Sequence, residues 1–307
     1  MSFYYIIMVL RKDRNEETMN FKIENGQGIL TIKASHLGDY LVYKRPLSLI
    51  WGDCAGSIGN YIVLLPYSQE YRDEFLALYQ EGIYKNYSND IEGLEKLLSP
   101  LWKIFENGDY VLEYYTATQD WSFYRDTSID LLNVKTKERY GGNVEGMKLI
   151  DKTTYGFYSY SEDCFIATQP TEKLNSKRIR YFKKEIKAGK RPFVLVYRNN
   201  YDPINDFISQ NYLLDGHHKL MAYQELGIAP PIARVIKDSR KLWERYIYQP
   251  WVPEPFFWNY DTAEPTNWDY EMERPTFWNF DIEELRPHLY PWQIEHMEQH
   301  LEEESKW

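Results

Sequence analysis

The chain has 307 residues, 43% of them hydrophobic, which is enough to fill more than one core and excludes a disordered polymer. Two cysteines, Cys54 and Cys164, exclude a disulfide framework and a paired-thiolate zinc site, and they imply a reducing, cytoplasmic setting. The net charge of −10 counts against a general nucleic-acid binder.

Residues 3–10 are an apolar and aromatic run with no basic stretch before it and no small-residue cleavage site after it. Too short to span a membrane, it reads as an opening strand, and no membrane association is expected. Residues 19–24 and 28–34 alternate around Asn25-Gly26-Gln27, which predicts a β-hairpin. Further strands are predicted at 39–43 and 61–65. Between them, Gly52 to Gly59 reads GDCAGSIG; its spacing matches neither a dinucleotide nor a P-loop fingerprint, so it reads as a loop containing Cys54. The spacing predicts a helix over 70–80, with Tyr71, Phe75, Leu78 and Tyr79 on one side, and another over 91–105 that Pro100 should split. Residues 110–116 and 122–124 return to strand composition. No motif in residues 1–160 points to a reaction, and they read as one α+β domain serving substrate selection, partner binding or fold support.

Charge then becomes uneven. Residues 172–198 hold 10 Lys/Arg against 2 Glu, while residues 242–307 hold 15 acidic against 4 basic residues. The basic stretch reads as a solvated helix face, a site for a phosphate-rich ligand or nucleic acid, or a dock for the acidic tail. Residues 212–237 follow, as YLLDGHHKLMAYQELGIAPPIARVIK. A strand at 212–214 ends at Asp215-Gly216, a helix runs over 217–226, and Gly227 and Pro230-Pro231 stop it. A second strand covers 232–236, so the stretch predicts a βαβ unit with a right-handed crossover. Chemistry is expected at the turn. A glycine at the mouth of a helix lets a ligand approach the backbone, and the free N–H groups and dipole there favour an anion. His217, His218 and Lys219 add three donors. The plainer reading makes Asp215 an N-cap with two exposed histidines behind it.

Asp215-Gly216-His217-His218-Lys219 resembles the strand-to-helix turn of the ParB/sulfiredoxin superfamily, in the Asp-Gly-His-His-Arg form of its free-serine kinases. Residues 222–226 are similar to the helix that follows in sulfiredoxins, and 178–188 and 192–197 fall where the family has its preceding helix and strand. The resemblance covers 163–238. It implies a small α/β domain at 161–240 that holds ATP or ADP, with Mg²⁺ bridging the phosphates and no dedicated metal cage. Gly216, His217, His218, Lys219 and Arg178 are the implied phosphate contacts, and Asp215, His217, His218 and Lys219 the implied catalytic set. Glu172 or Asp163 is implied as the carboxylate that positions a hydroxyl acceptor. Two departures narrow this. His217 replaces the sulfiredoxin cysteine, which removes sulfinic-acid reduction, and Lys219 replaces an arginine and so loses its bidentate fork. The implied activity is phosphoryl transfer to a small hydroxyl compound or a protein side chain; the alternative is a nucleotide- or anion-sensing module that engages a partner. A DNA-binding or nuclease role ranks last, because the ParB Arg-Arg pair is missing and no helix-turn-helix follows.

The tail, 241–307, contains three ten-residue units, PFFWNYDTAE, PTNWDYEMER and PTFWNFDIEE, with Trp258, Trp268 and Trp278 at the fourth position. The recurring proline rules out one helix, and the units are too small to bury a core among themselves. They read as a strap across the protein's own surface or as an arm gripping a partner protein. Residues 291–306 predict a solvated acidic helix. His296 and His300 share a face there, but Met297 stands where a zinc-protease motif needs Glu, so no metal is expected. The whole reads as α+β: a mixed N-terminal domain, a ParB/sulfiredoxin-like α/β domain, and an aromatic, acidic extension.

Overall fold

The computed structural model describes residues 17–35, 38–51, 61–78, 90–119, 121–124, 148–151, 163–200, 211–238 and 279–304. These residues fold as α+β around two sheets. The first sheet holds β1 (Glu17–Ile23), β6 (Gly108–Thr116), β12 (Pro231–Asp238), β10 (Val194–Asn200), β11 (Asn211–Asp215), β9 (Cys164–Ile166) and β7 (Ser122–Tyr124), in that order. The second orders β2 (Leu30–Ala34), β3 (Gly38–Tyr43), β4 (Pro46–Trp51), β5 (Tyr61–Leu64) and β8 (Lys148–Asp151), all antiparallel.

Alternation along the strands explains how the sheets stack. Leu41, Ile50, Ile62 and Leu64 face the first sheet's Leu112, Val235, Leu195 and Tyr212 in one shared core. Full burial of each such aliphatic side chain contributes about 1.5–3 kcal/mol. The alternate residues Tyr40, Leu49, Trp51 and Val63 face outward. Polar bonds cross between the sheets: the Tyr212 hydroxyl donates to the Asp39 carbonyl at 2.9 Å, and the Ser48 hydroxyl to the Ala167 carbonyl at 2.6 Å.

Six helices are described. α1 (Gln69–Ala77) and α2 (Ile91–Leu98) are capped by Ser68 and Asp90, and bury Phe75, Leu94 and Leu98 in the shared core. Pro100 ends α2 as expected, in a 3₁₀ turn over Ser99–Ile104. α3 (Ser176–Lys187) and α4 (His217–Leu226) lie together on the far face of the first sheet. Phe182 and Ile186 of α3 meet Ala222 and Tyr223 of α4, while the remaining basic side chains of α3 point outward. α5 (Ile282–Leu285) and α6 (Pro291–Glu304) cover the second sheet's outer face with Leu285, Leu289, Tyr290, Ile294 and Met297. The tail helix is therefore docked along one side rather than solvated all round.

The first sheet curls. Three strands separate β6 from β9, yet the Tyr115 hydroxyl donates to Asp163 Oδ1 at 2.9 Å, and the Thr118 amide donates to Asp163 Oδ2 at 2.6 Å. Phe123, Phe165, Val196 and Leu220 fill the concavity.

Three expectations change. The 19–34 segment is not a hairpin, because β1 pairs with β6 and β2 with β3. Its turn is held instead by the loop before β6: the Gln27 amide donates to the Lys103 carbonyl, the Gly28 amide to the Phe105 carbonyl, and the Gly26 amide to Asn107 Oδ1. The expected boundary at residue 160 divides no fold, since β1, β6 and β7 belong to the same sheet as β9 to β12. The unit at 212–237 is not a parallel βαβ. β10 lies between β11 and β12, antiparallel to one and parallel to the other, so the strands flanking α4 run in opposite directions. The handedness rule for parallel crossovers does not apply to it.

Residues 3–10, the 52–59 loop with Cys54, and the tryptophans at 258, 268 and 278 lie outside the described residues. No helix among the described residues is long and apolar enough to cross a membrane.

Candidate functional site

β11 ends at Asp215, and Gly216 turns the chain into α4 with φ +113° and ψ 12°. A Cβ at Gly216 would lie 3.1–3.3 Å from Val194 of β10, so conformation and space both call for glycine. Gly227 ends the helix at φ +64°, as the spacing predicts.

Asp215 does not cap α4; no side chain does. Asp215 is 5% exposed, and its carboxylate is held by two cations. Lys219 Nζ lies 3.0 Å from Oδ2, and an Arg72 guanidinium nitrogen 3.0 Å from Oδ1. Burial acts to raise the Asp215 pKa, but Lys219 and Arg72 together outweigh it and hold the carboxyl well below the usual range. Arg72 also donates to the Leu214 carbonyl, which ties α1 to the end of β11.

Lys219 is 2% exposed and turns inward rather than toward a ligand. Besides Asp215 it donates to the Phe193 carbonyl at 2.9 Å, with its ammonium 5.2 Å from the Phe193 ring. The expected phosphate lysine is thus a buried strut between α4 and β10. The expected catalytic Asp215 is its counter-ion.

The histidines accept hydrogen bonds with one ring nitrogen. His217 is 1% exposed, and its Nε2 accepts from the Thr168 amide at 3.0 Å. A neutral ring accepting at Nε2 carries its proton on Nδ1. That Nδ1 is buried and has no hydrogen-bond partner among the described residues. Burial, with repulsion from Arg72, lowers the His217 pKa well below the ordinary value. The half-buried His218 accepts at Nε2 from the Asn175 amide at 2.9 Å. Burial, with repulsion from Arg178, brings its pKa down to about 4. The two imidazoles therefore fasten both ends of the segment 168–175 to the start of α4.

That segment leads into α3, so two helix N-termini meet at His218. Asn175 caps α3 by accepting from the Lys177 amide at 2.8 Å. Neither helix has an acidic residue in its first turn, whereas α1, α2 and α5 carry Glu70, Glu92 and Glu283 there. α3 instead opens with Lys177 and Arg178, both exposed. Glu172 is exposed in the 3₁₀ turn Thr171–Lys173. Asp163, the other expected carboxylate, lies apart from this site in its bonds to Tyr115 and Thr118. A crevice of about 30 Å³ beside Arg72, lined by Tyr67, Tyr71, Phe75, Thr168 and Leu214, is large enough for a water and too small for a nucleobase.

Arg72 and Thr168 are the site residues that sequence reasoning missed. Arg72 sits among Glu70, Asp73 and Glu74 and reads as surface charge, and nothing local links it to a partner 143 positions away. Among the described residues, no group of three His, Cys, Asp or Glu side chains is placed to hold a metal ion.

No protein-family model, curated protein or solved structure matches this chain.

Proposed function

We propose that the chain binds the phosphate groups of a nucleotide, ATP or ADP with its Mg²⁺, where α3 and α4 begin. The observation that carries this is the placement of Lys177 and Arg178 in the first turn of α3, beside the uncapped start of α4. A helix N-terminus already bears partial positive charge, and each added cation there costs about 0.3–1 kcal/mol. A phosphate between the two helix starts reverses that sign, because amides and cations then act on one anion.

The contacts implied by the resemblance are revised accordingly. The amides of the first turn of α4, Lys177 and Arg178 bind; His217, Lys219 and Asp215 hold the frame. Mg²⁺ arrives with the nucleotide, whose phosphate oxygens ligate it. In a phosphotransferase, Glu172 positions the acceptor hydroxyl. A sensing module that binds without turnover is the second reading, favoured by the commitment of Asp215 and Lys219 to a buried pair. Titration calorimetry with ATP, ADP and CTP tests binding, and release of labelled γ-phosphate separates turnover from sensing.

A further inference from the structure

The third aromatic–acidic unit is described from Asn279 onward, and its docking on the second sheet is specific. Asn279 Oδ1 accepts from the Ala34 amide at 3.0 Å, and the Phe280 amide donates to the Ala34 carbonyl at 2.9 Å. Both use the last residue of β2, an edge strand whose outer groups are open to such pairing. The Phe280 ring meets Tyr40 edge-on, with centroids 5.1 Å apart, and tilts against Trp51 at 5.3 Å. Asp281 starts α5 by accepting from the Glu283 amide at 3.0 Å. Glu284 accepts from the Tyr40 hydroxyl at 2.9 Å and from Lys33 at 2.6 Å. Four positions of the unit thus make distinct contacts: an amide acceptor, an aromatic ring, a short carboxylate cap, and a carboxylate facing a cation.

The other two units match these four positions unequally. The first carries Asn259, Tyr260, Asp261 and Glu264 there, and differs at the two positions between, where Thr262 replaces the apolar Ile282 and Ala263 replaces Glu283. The second carries Asp269 and Tyr270, but Glu271 replaces the short cap and Arg274 stands where a carboxylate must meet Lys33. Opposing Arg274 to Lys33 turns an attraction into a repulsion and leaves the Tyr40 hydroxyl without that acceptor.

We propose that Ala34, Lys33, Tyr40 and Trp51 form a recognition site for the peptide pattern Asn-(Phe/Tyr)-Asp-x-x-Glu, and that residues 255–264 are its second ligand. One surface then has two ligands on the same tail, with a poor match between them.

Fluorescence anisotropy with labelled synthetic peptides of 255–264, 265–274 and 275–284 tests this on the full chain bearing Asn259→Ala/Glu264→Ala together with Asn279→Ala/Glu284→Ala, so that neither of the chain's own units competes with the peptide. The 255–264 peptide is expected to bind at least about tenfold tighter than 265–274, as one reversed ion pair and one lost cap imply. No binding of 255–264, or binding no tighter than 265–274, overturns the proposal. A second measurement covers a variant that folds poorly. Full chains that carry Asn259→Ala/Glu264→Ala, and whose residues 275–284 are replaced by the native sequence of 255–264 or of 265–274, are melted side by side. The first should keep the higher melting temperature, and equal or reversed midpoints overturn the proposal.

Discussion

The Lys219 ammonium, in the first turn of α4, lies 3.0 Å from the carboxylate of Asp215 at the end of β11, with 2% and 7% of their side chains exposed. A motif that reads as a row of ligand-binding groups therefore has an inner pair and an outer face. Removing Lys219 takes one of two cations from a buried carboxylate, leaving Arg72, and breaks the ammonium's bond to the Phe193 carbonyl. Lys219→Met should cost about 3–5 kcal/mol of unfolding free energy in a denaturant titration. A loss below about 1 kcal/mol, typical of an exposed pair, would show that the strut is not structural.

Acid should destabilise the fold through the two histidines. Burial lowers both pKa values in the folded chain, that of His218 to about 4. The unfolded chain takes up these protons as pH falls through about 6.5, while the folded chain does not. Their contribution to stability is full above that value and is lost as pH falls from about 6.5 toward 4. The melting temperature should drop between pH 7.5 and 5, and His217→Gln/His218→Gln should start lower but fall less over that interval. His288, also lowered by burial, is present in both proteins and cancels in the comparison. Parallel pH profiles would contradict this account.

Two glycines bracket α4 and should respond differently to alanine. Gly216→Ala meets both a left-handed backbone and the Val194 contacts, so it should lose about 1–3 kcal/mol. At Gly227 nothing lies within 4 Å of an added Cβ, so only the backbone cost of about 1 kcal/mol applies. Denaturant midpoints of the two variants check the order.

Local structure was largely legible in the residues. The helix from His217 to Leu226, its glycine stops, the break at Pro100 and the strands around 110–116 and 232–236 follow from spacing and turn chemistry. Partners in space were not. β4, PLSLIW, carries Pro46 and one serine and shows no clean alternation, so only its neighbours β3 and β5 mark it as a strand. The 19–34 turn looks like a hairpin because its residues suit one, and the Lys103 and Phe105 carbonyls and Asn107 redirect it. At the site, glycine and histidine marked the turn. Which side chains point inward depends on Arg72, Phe193 and Thr168, each supplied by a distant element.

Nucleotide binding at the two helix starts is tested most directly by calorimetric titration of ATP, ADP and CTP, with Mg²⁺, into wild type and Lys177→Glu/Arg178→Glu. Both substitutions are at exposed positions and should leave the fold intact. The account predicts a dissociation constant below about 1 mM for ATP or ADP with wild type, weakened at least about tenfold in the variant. No heat from any nucleotide with wild type, or equal affinity in the two proteins, would contradict it.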